Sequence, residues 1–164
     1  MKTLLIVYHS MTGGTQQMCE AVREGAEGAG EALRVRLLRA AGAGPEDLMA
    51  ADGYVFATPE NLAAIAGLMK DFFDRSYYPV LDRLNGRPVC LLVCAGSDGQ
   101  QALAQMQRIC TGWRLREVLP SRIVCTKADT EAKILAPKQI SEAELAACRE
   151  LGETLASGLA MGIF

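Results

Sequence analysis

Residues 4–15 read Leu4-Leu5-Ile6-Val7-Tyr8-His9-Ser10-Met11-Thr12-Gly13-Gly14-Thr15: an unbroken apolar run, a turn of hydroxyls and glycines, then the start of an amphipathic pattern. An unbroken run, as opposed to an alternating one, marks a strand covered on both faces, the condition inside a parallel sheet. The pattern that follows, Thr15 to about Ala29, sets Met18, Val22 and Ala26 on one helical face and ends among Gly28 and Gly30. Strand, loop and helix in this order are the opening of a βαβ unit.

Working outward, Tyr54–Ala57 and Val89–Ala95 are also unbroken apolar runs and read as interior strands. Leu33-Arg34-Val35-Arg36-Leu37 alternates, so one face is wet and the strand belongs at an edge. Arg122–Thr126 is short with polar flanks, a second edge. Between these lie helical patterns over Leu62 to Arg75, with Leu62, Ile65, Met69 and Phe72 on one face, and over Gly99 to Thr111, with Leu103, Met106 and Ile109 or Cys110. A last helix opens on Ser141 and Glu144, spaced as a capping box, and carries Leu145, Cys148, Gly152, Leu155 and Leu159 on one stripe. The expected fold is α/β: a doubly wound, five-stranded parallel sheet in the order 2-1-3-4-5 with helices on both faces, a single domain over 1–164. Lys127 to Ile140 reads as a polar connection, either a surface excursion or an arm reaching a neighbouring subunit.

Composition narrows the function. The chain has 164 residues, half of them hydrophobic and 22% charged, which excludes a disordered chain. A net charge of −2 and a pI near 5.5 leave no electrostatic footprint for nucleic acid. No uncharged apolar run approaches the roughly 20 residues that span a bilayer, so membrane insertion is not expected. The apolar N-terminal run is short and lacks a cleavage site, so it reads as a strand rather than a signal peptide. Six cysteines lie scattered through apolar segments with no CxxC, and the single His9 gives no zinc spacing. They read as reduced core residues of a cytoplasmic protein, with no metal site.

In an open parallel sheet, ligands bind beyond the C-terminal ends of the strands where the strand order reverses. Here that point lies between the first and third strands, and three loops converge on it: His9 to Thr15, Thr58 to Asn61, and Cys94 to Gln100. Three hydroxyls and two glycines without a cation suit a single phosphate at a helix N-terminus, held by backbone N–H groups and side-chain hydroxyls. The loop is neither GxGxxG nor a P-loop, and a plain helix cap is the other reading of the same residues.

The motif Ser10-x-Thr12-Gly13-x-Thr15 resembles the phosphate loop of the flavodoxin-like family. Thr58-Pro59-Glu60-Asn61, followed by Gly67-x-Met69-Lys70-x-Phe72-Phe73-Asp74-Arg75, is similar to the second flavin loop of short flavodoxin-fold NAD(P)H oxidoreductases related to WrbA-type quinone reductases. The resemblance runs from Thr3 to about Leu159. It implies noncovalent FMN, with Ser10, Met11, Thr12, Gly13, Gly14 and Thr15 on the phosphate. Thr58, Pro59, Glu60 and Asn61 would lie along the ring, and Ala95, Gly96, Ser97 and Gly99 at its pyrimidine end. It also implies NADH or NADPH as co-substrate, a quinone or similar small electron acceptor, and a homo-oligomer in which a second subunit completes the pocket. Where such reductases often carry an aromatic-Gly pair, this chain has Leu62-Ala63-Ala64.

Electron-carrier flavodoxins resemble one another in sandwiching the flavin between aromatic side chains. Of the four Phe, four Tyr and one Trp here, none falls in the three loops. Tyr77, Tyr78 and Trp113 belong to the opposite rim, and Tyr8 reads as core. An uncovered ring face and the modest net charge favour a two-electron reductase; a one-electron flavodoxin-like carrier and a flavin-free structural module are the alternatives. Hydride transfer asks of the protein mainly orientation and exclusion of water, so no catalytic acid or base is nominated. His9 reads either as an ordinary loop side chain or as a counter-charge to phosphate. Glu60 reads either as a flavin ligand or as a helix cap.

Overall fold

The computed structural model describes residues 1–30 and 32–164. The sheet is built from β1 (Lys2–Tyr8), β2 (Leu33–Arg39), β3 (Gly53–Asn61) and β5 (Pro88–Ala95), with the outer position beside β5 shared by β6 (Arg116–Glu117) and β7 (Arg122–Cys125). All of these pairs are parallel, in the order β2-β1-β3-β5 and then β6 and β7. Counted by long strands, this is the expected doubly wound 2-1-3-4-5 topology. The chain leaves β1 toward β2 and leaves β3 toward β5, so its direction of travel reverses between β1 and β3. The fifth position is broken around Leu119 and Pro120, where proline cannot donate to the ladder.

The pleat sends alternate residues to two cores. Leu5 and Val7 of β1, with Tyr54 and Phe56 of β3, pack under α3 (Gly67–Val80) and α4 (Gln100–Gly112). Leu4, Ile6 and Tyr8, with Val55 and Ala57, pack under α1 (Gly14–Gly28) and α6 (Glu142–Met161). Helices α1 and α6 approach closely because Gly152 faces the Val22 carbonyl and Gly25 the Arg149 carbonyl, leaving no room for a Cβ at either glycine. The Ser141 hydroxyl accepts the Glu144 N–H at 3.3 Å and opens α6, while the Glu144 carboxylate accepts from Arg122 at 2.8 Å and does not close the expected capping box.

Three features depart from the sequence reading. First, Leu62 does not open the second helix. Strand β3 continues to Asn61 and turns back into β4 (Ala64–Ile65), pairing Asn61 with Ala64 and Glu60 with Ile65, and α3 starts only at Gly67. Leu62 and Ala63 both hold left-handed backbones, φ 51° and 60°, as a two-residue hairpin turn requires. Leu62 thus stands fully exposed instead of joining a buried helical face. Second, two short helices, α2 (Pro45–Met49) and α5 (Glu131–Leu135), lie in stretches that carry too few residues for a periodic pattern. Third, five cysteines are buried, but Cys125 is exposed, because it ends an edge strand; all six are free thiols. Residues 127–140 run largely over the surface, one of the two sequence readings, and are tied to the first loop by the Lys138 N–H donating to the Thr12 carbonyl at 2.8 Å. Among the described residues, no helix is long and apolar enough to cross a membrane.

Candidate active site

The loop after β1 is shaped by its own residues. Gly13, at φ 93°, takes a left-handed turn and its N–H donates to the Ser10 hydroxyl at 3.1 Å. Helix α1 therefore begins at Gly14 without a side-chain cap, and the first N–H groups of the helix are left for a ligand. Gly14 has no room for a Cβ: Cys94 Sγ lies 2.6 Å and Lys138 Cβ 3.3 Å from where one would stand. Thr15 is buried, and its hydroxyl has no hydrogen-bond partner among the described residues. A buried hydroxyl without a partner costs about 1–3 kcal/mol unless something supplies one.

Around this loop is a cavity of about 400 Å³, within the usual size of small-molecule sites. Of the residues expected from sequence, Ser10, Met11, Thr12, Gly14, Thr15, Pro59, Glu60, Asn61, Ala95, Gly96 and Ser97 line it. Gly13, Thr58 and Gly99 do not. Gly13 and Gly99 shape the loops from behind, both at positive φ, and a Cβ on Gly99 would run into Ile123. Thr58 is fully buried: its hydroxyl donates to the Pro59 carbonyl and accepts the Ala66 N–H at 3.0 Å, which pins the base of the hairpin.

Glu60 joins two loops. Its carboxylate accepts the Gly99 N–H at 2.7 Å, at the residue that precedes α4, and not at the start of the helix that follows Glu60 in sequence, which has no side-chain cap. His9 does not line the cavity. Partial burial, with the Arg39 charge beside it, holds its imidazole below the ordinary range and so neutral near pH 7. Cys94 lies under the phosphate-type loop, and burial pushes its thiol up to about 11, partly offset by the Lys138 charge.

Cys94, Leu62, Thr126, Ala128, Ile134 and Lys138 also line the cavity and were not singled out from sequence. Cys94 carried a signal, since it ends an interior strand beside the third loop. The last four come from the strand end and connection at 126–138, whose return to the site no local pattern announces. Met11, Leu62 and Ile134 are exposed at the cavity's edge and give it an apolar rim. No aromatic side chain lines the cavity among the described residues. Tyr77 and Trp113 stack at the far end of the sheet, with Trp113 fully buried.

A doubly wound sheet with an uncapped, glycine-rich helix N-terminus and a slot at its switch point is the architecture of a flavodoxin-fold protein. The family model described as NADPH-dependent FMN reductase matches residues 39–129, and the chain belongs to that family. It is 29% identical to a flavodoxin of Aquifex aeolicus over 165 residues, covering 98% of this chain and 89% of that one. It is 33% identical to an NAD(P)H dehydrogenase (quinone) of Acidithiobacillus ferrooxidans over 95 residues, 46% of this chain and 48% of that one. Among solved structures, a flavodoxin, WrbA-like protein from Agrobacterium tumefaciens superposes with a TM-score of 0.75 at 21% identity, covering 99% of each chain.

Proposed function

We propose that the protein binds FMN noncovalently and uses it to pass hydride from NADPH or NADH to a quinone or similar small acceptor. The observation that carries this reading is the Thr15 hydroxyl, buried and unpartnered at the uncapped start of α1, on the wall of a cavity with no aromatic cover. A phosphate monoester fits there: Ser10, Thr12 and Thr15 offer hydroxyls, the first turn of α1 offers N–H groups, and Gly14 keeps the backbone clear. When bound, FMN supplies a ring that accepts a hydride and returns two electrons.

The remaining residues orient and shield. Pro59, Asn61, Ala95 and Gly96 form the slot between the second and third loops, and the Glu60–Gly99 hydrogen bond fixes their separation. Met11, Leu62 and Ile134 exclude water at the rim and leave one face open for a nicotinamide or an acceptor to stack in turn. The Cys94 thiol, raised by burial, stays protonated near pH 7. A second reading, a one-electron carrier, is favoured by the near full-length likeness to a flavodoxin.

Steady-state oxidation of NADPH and of NADH by the FMN-loaded protein, with a benzoquinone as varied acceptor, tests the reductase reading. Parallel double-reciprocal lines, the pattern of two half-reactions sharing one site, are expected. The absence of acceptor-dependent nicotinamide oxidation would transfer the assignment to the carrier.

A further inference from the structure

The phosphate-type loop contains no cation, and the sequence around it supplies none. The fold brings one from far along the chain. Lys138 lines the cavity and stands against Gly14, its Cβ 3.3 Å from where a Gly14 Cβ would be. Its backbone is fixed on both sides: its N–H donates to the Thr12 carbonyl at 2.8 Å, and its carbonyl accepts Gln17 Nε2 at 2.7 Å. Gln17 is the staple, since the same Nε2 reaches the Gly13 carbonyl at 3.0 Å while its Oε1 accepts the Ile140 N–H at 3.1 Å.

The Lys138 ammonium is held without being neutralised. It donates to three carbonyls, those of Lys133, Ile134 and Ala136, at 2.7–2.8 Å. Among the described residues no carboxylate pairs with it, whereas the neighbouring Lys133 is bound to Asp129 at 2.6 Å. Its charge is felt at Cys94, the residue directly beneath Gly14. Arg39 is the competing cation: it reaches the Ser10 carbonyl at 3.5 Å and Gln16 at 2.9 Å, but from outside the loop, and it does not line the cavity.

We propose that Lys138, delivered by the 127–140 strap, is the counter-charge for the ligand's phosphate and the residue that makes the site prefer a phosphorylated flavin over an unphosphorylated one. This rests on the FMN reading above. The strap supplies from the opposite end of the chain the positive charge that the loop itself lacks, and the three carbonyls keep the ammonium in place before the phosphate arrives. A preset cation loses little conformational entropy when the ligand binds.

The test is flavin-fluorescence titration of the apoprotein with FMN and with riboflavin, at low and at raised salt, for wild type, Lys138→Met, Lys138→Arg and Arg39→Met. Lys138→Met is expected to weaken FMN by roughly tenfold or more, the order expected for removing one unit charge near the phosphate, and to leave riboflavin unchanged. It should flatten the salt dependence of FMN binding, and Lys138→Arg should restore most of both. An unchanged ratio of FMN to riboflavin affinity in Lys138→Met, or a ratio lost instead in Arg39→Met, would overturn the assignment while leaving FMN binding intact. Equal loss of both flavins would mean a strap that is only structural, and would also overturn it. A wild type that binds FMN no better than riboflavin would overturn the phosphate reading itself.

Discussion

The two ends of the cavity are built in opposite ways. At the phosphate-type end, Gly14 and Thr15 are buried, the loop is stapled to a distant strap through Gln17 and Lys138, and hydroxyls and backbone N–H groups line it beside Cys94 and Lys138. At the other end, a hairpin tip holds Leu62 fully exposed, the edge is apolar, and one carboxylate hydrogen bond spans the loops. A closed, polar, cross-tied end suits holding a ligand permanently, and an open, apolar end suits admitting others in turn. Substitutions at the first end should therefore discriminate between FMN and riboflavin. Substitutions at the second should affect the two flavins alike.

The largest effect is expected from the pair Thr12→Val and Thr15→Val, which keeps shape and removes two donors to a charged group. FMN binding should weaken by about 3 kcal/mol, roughly a hundredfold, with riboflavin little changed; equal FMN affinity in titrations of the double mutant would break the comparison at its polar end. Next is Glu60→Gln, which turns the charge-assisted bond to the Gly99 N–H into a neutral one. About 1 kcal/mol of stability should be lost in urea unfolding, and FMN and riboflavin should weaken by the same factor. Smaller still, Ala63→Gly relieves one left-handed non-glycine residue at the hairpin tip. A net gain of about 0.5 kcal/mol in the same unfolding experiment is expected, after the entropy of the freer unfolded chain is subtracted.

His9 should give the smallest signal, and its sign follows from the direction of its shift. Its folded pKa lies below 6.5, so above pH 6.5 neither state binds the proton, and below it the unfolded chain binds first. Its contribution is therefore fully present above 6.5 and is lost as pH falls through the lowered folded value. Between about pH 7.5 and pH 5.5 the wild type should lose more stability than His9→Gln. An identical pH dependence of the two would mean that the imidazole is not held neutral.

How much of this was legible in the sequence follows the range of the interactions involved. Unbroken apolar runs located the interior strands because burial on both faces is a local demand, and the alternation of Leu33 to Leu37 placed β2 at the edge for the same reason. The loop Ser10 to Thr15 stood out because hydroxyls and glycines between strand and helix have a specific use. The hairpin at Leu62 and Ala63 did not, since its two left-handed residues lack the usual Asn-Gly signature and Leu62, Ile65 and Met69 imitate a helical face. Lys138 was out of reach altogether: it meets Gln17 across 121 residues of chain, and no local spacing encodes that contact.

On the proposed function, a flavin gripped at one end of the cavity is open to nicotinamide at the other. Anaerobic titration of the FMN-loaded, desalted protein with NADPH, and separately with NADH, while following the flavin absorption band, tests it most directly. Bleaching to completion by one of the two, at one equivalent of nicotinamide per flavin, is expected. A band untouched by either nicotinamide, yet bleached by a chemical reductant, would contradict it.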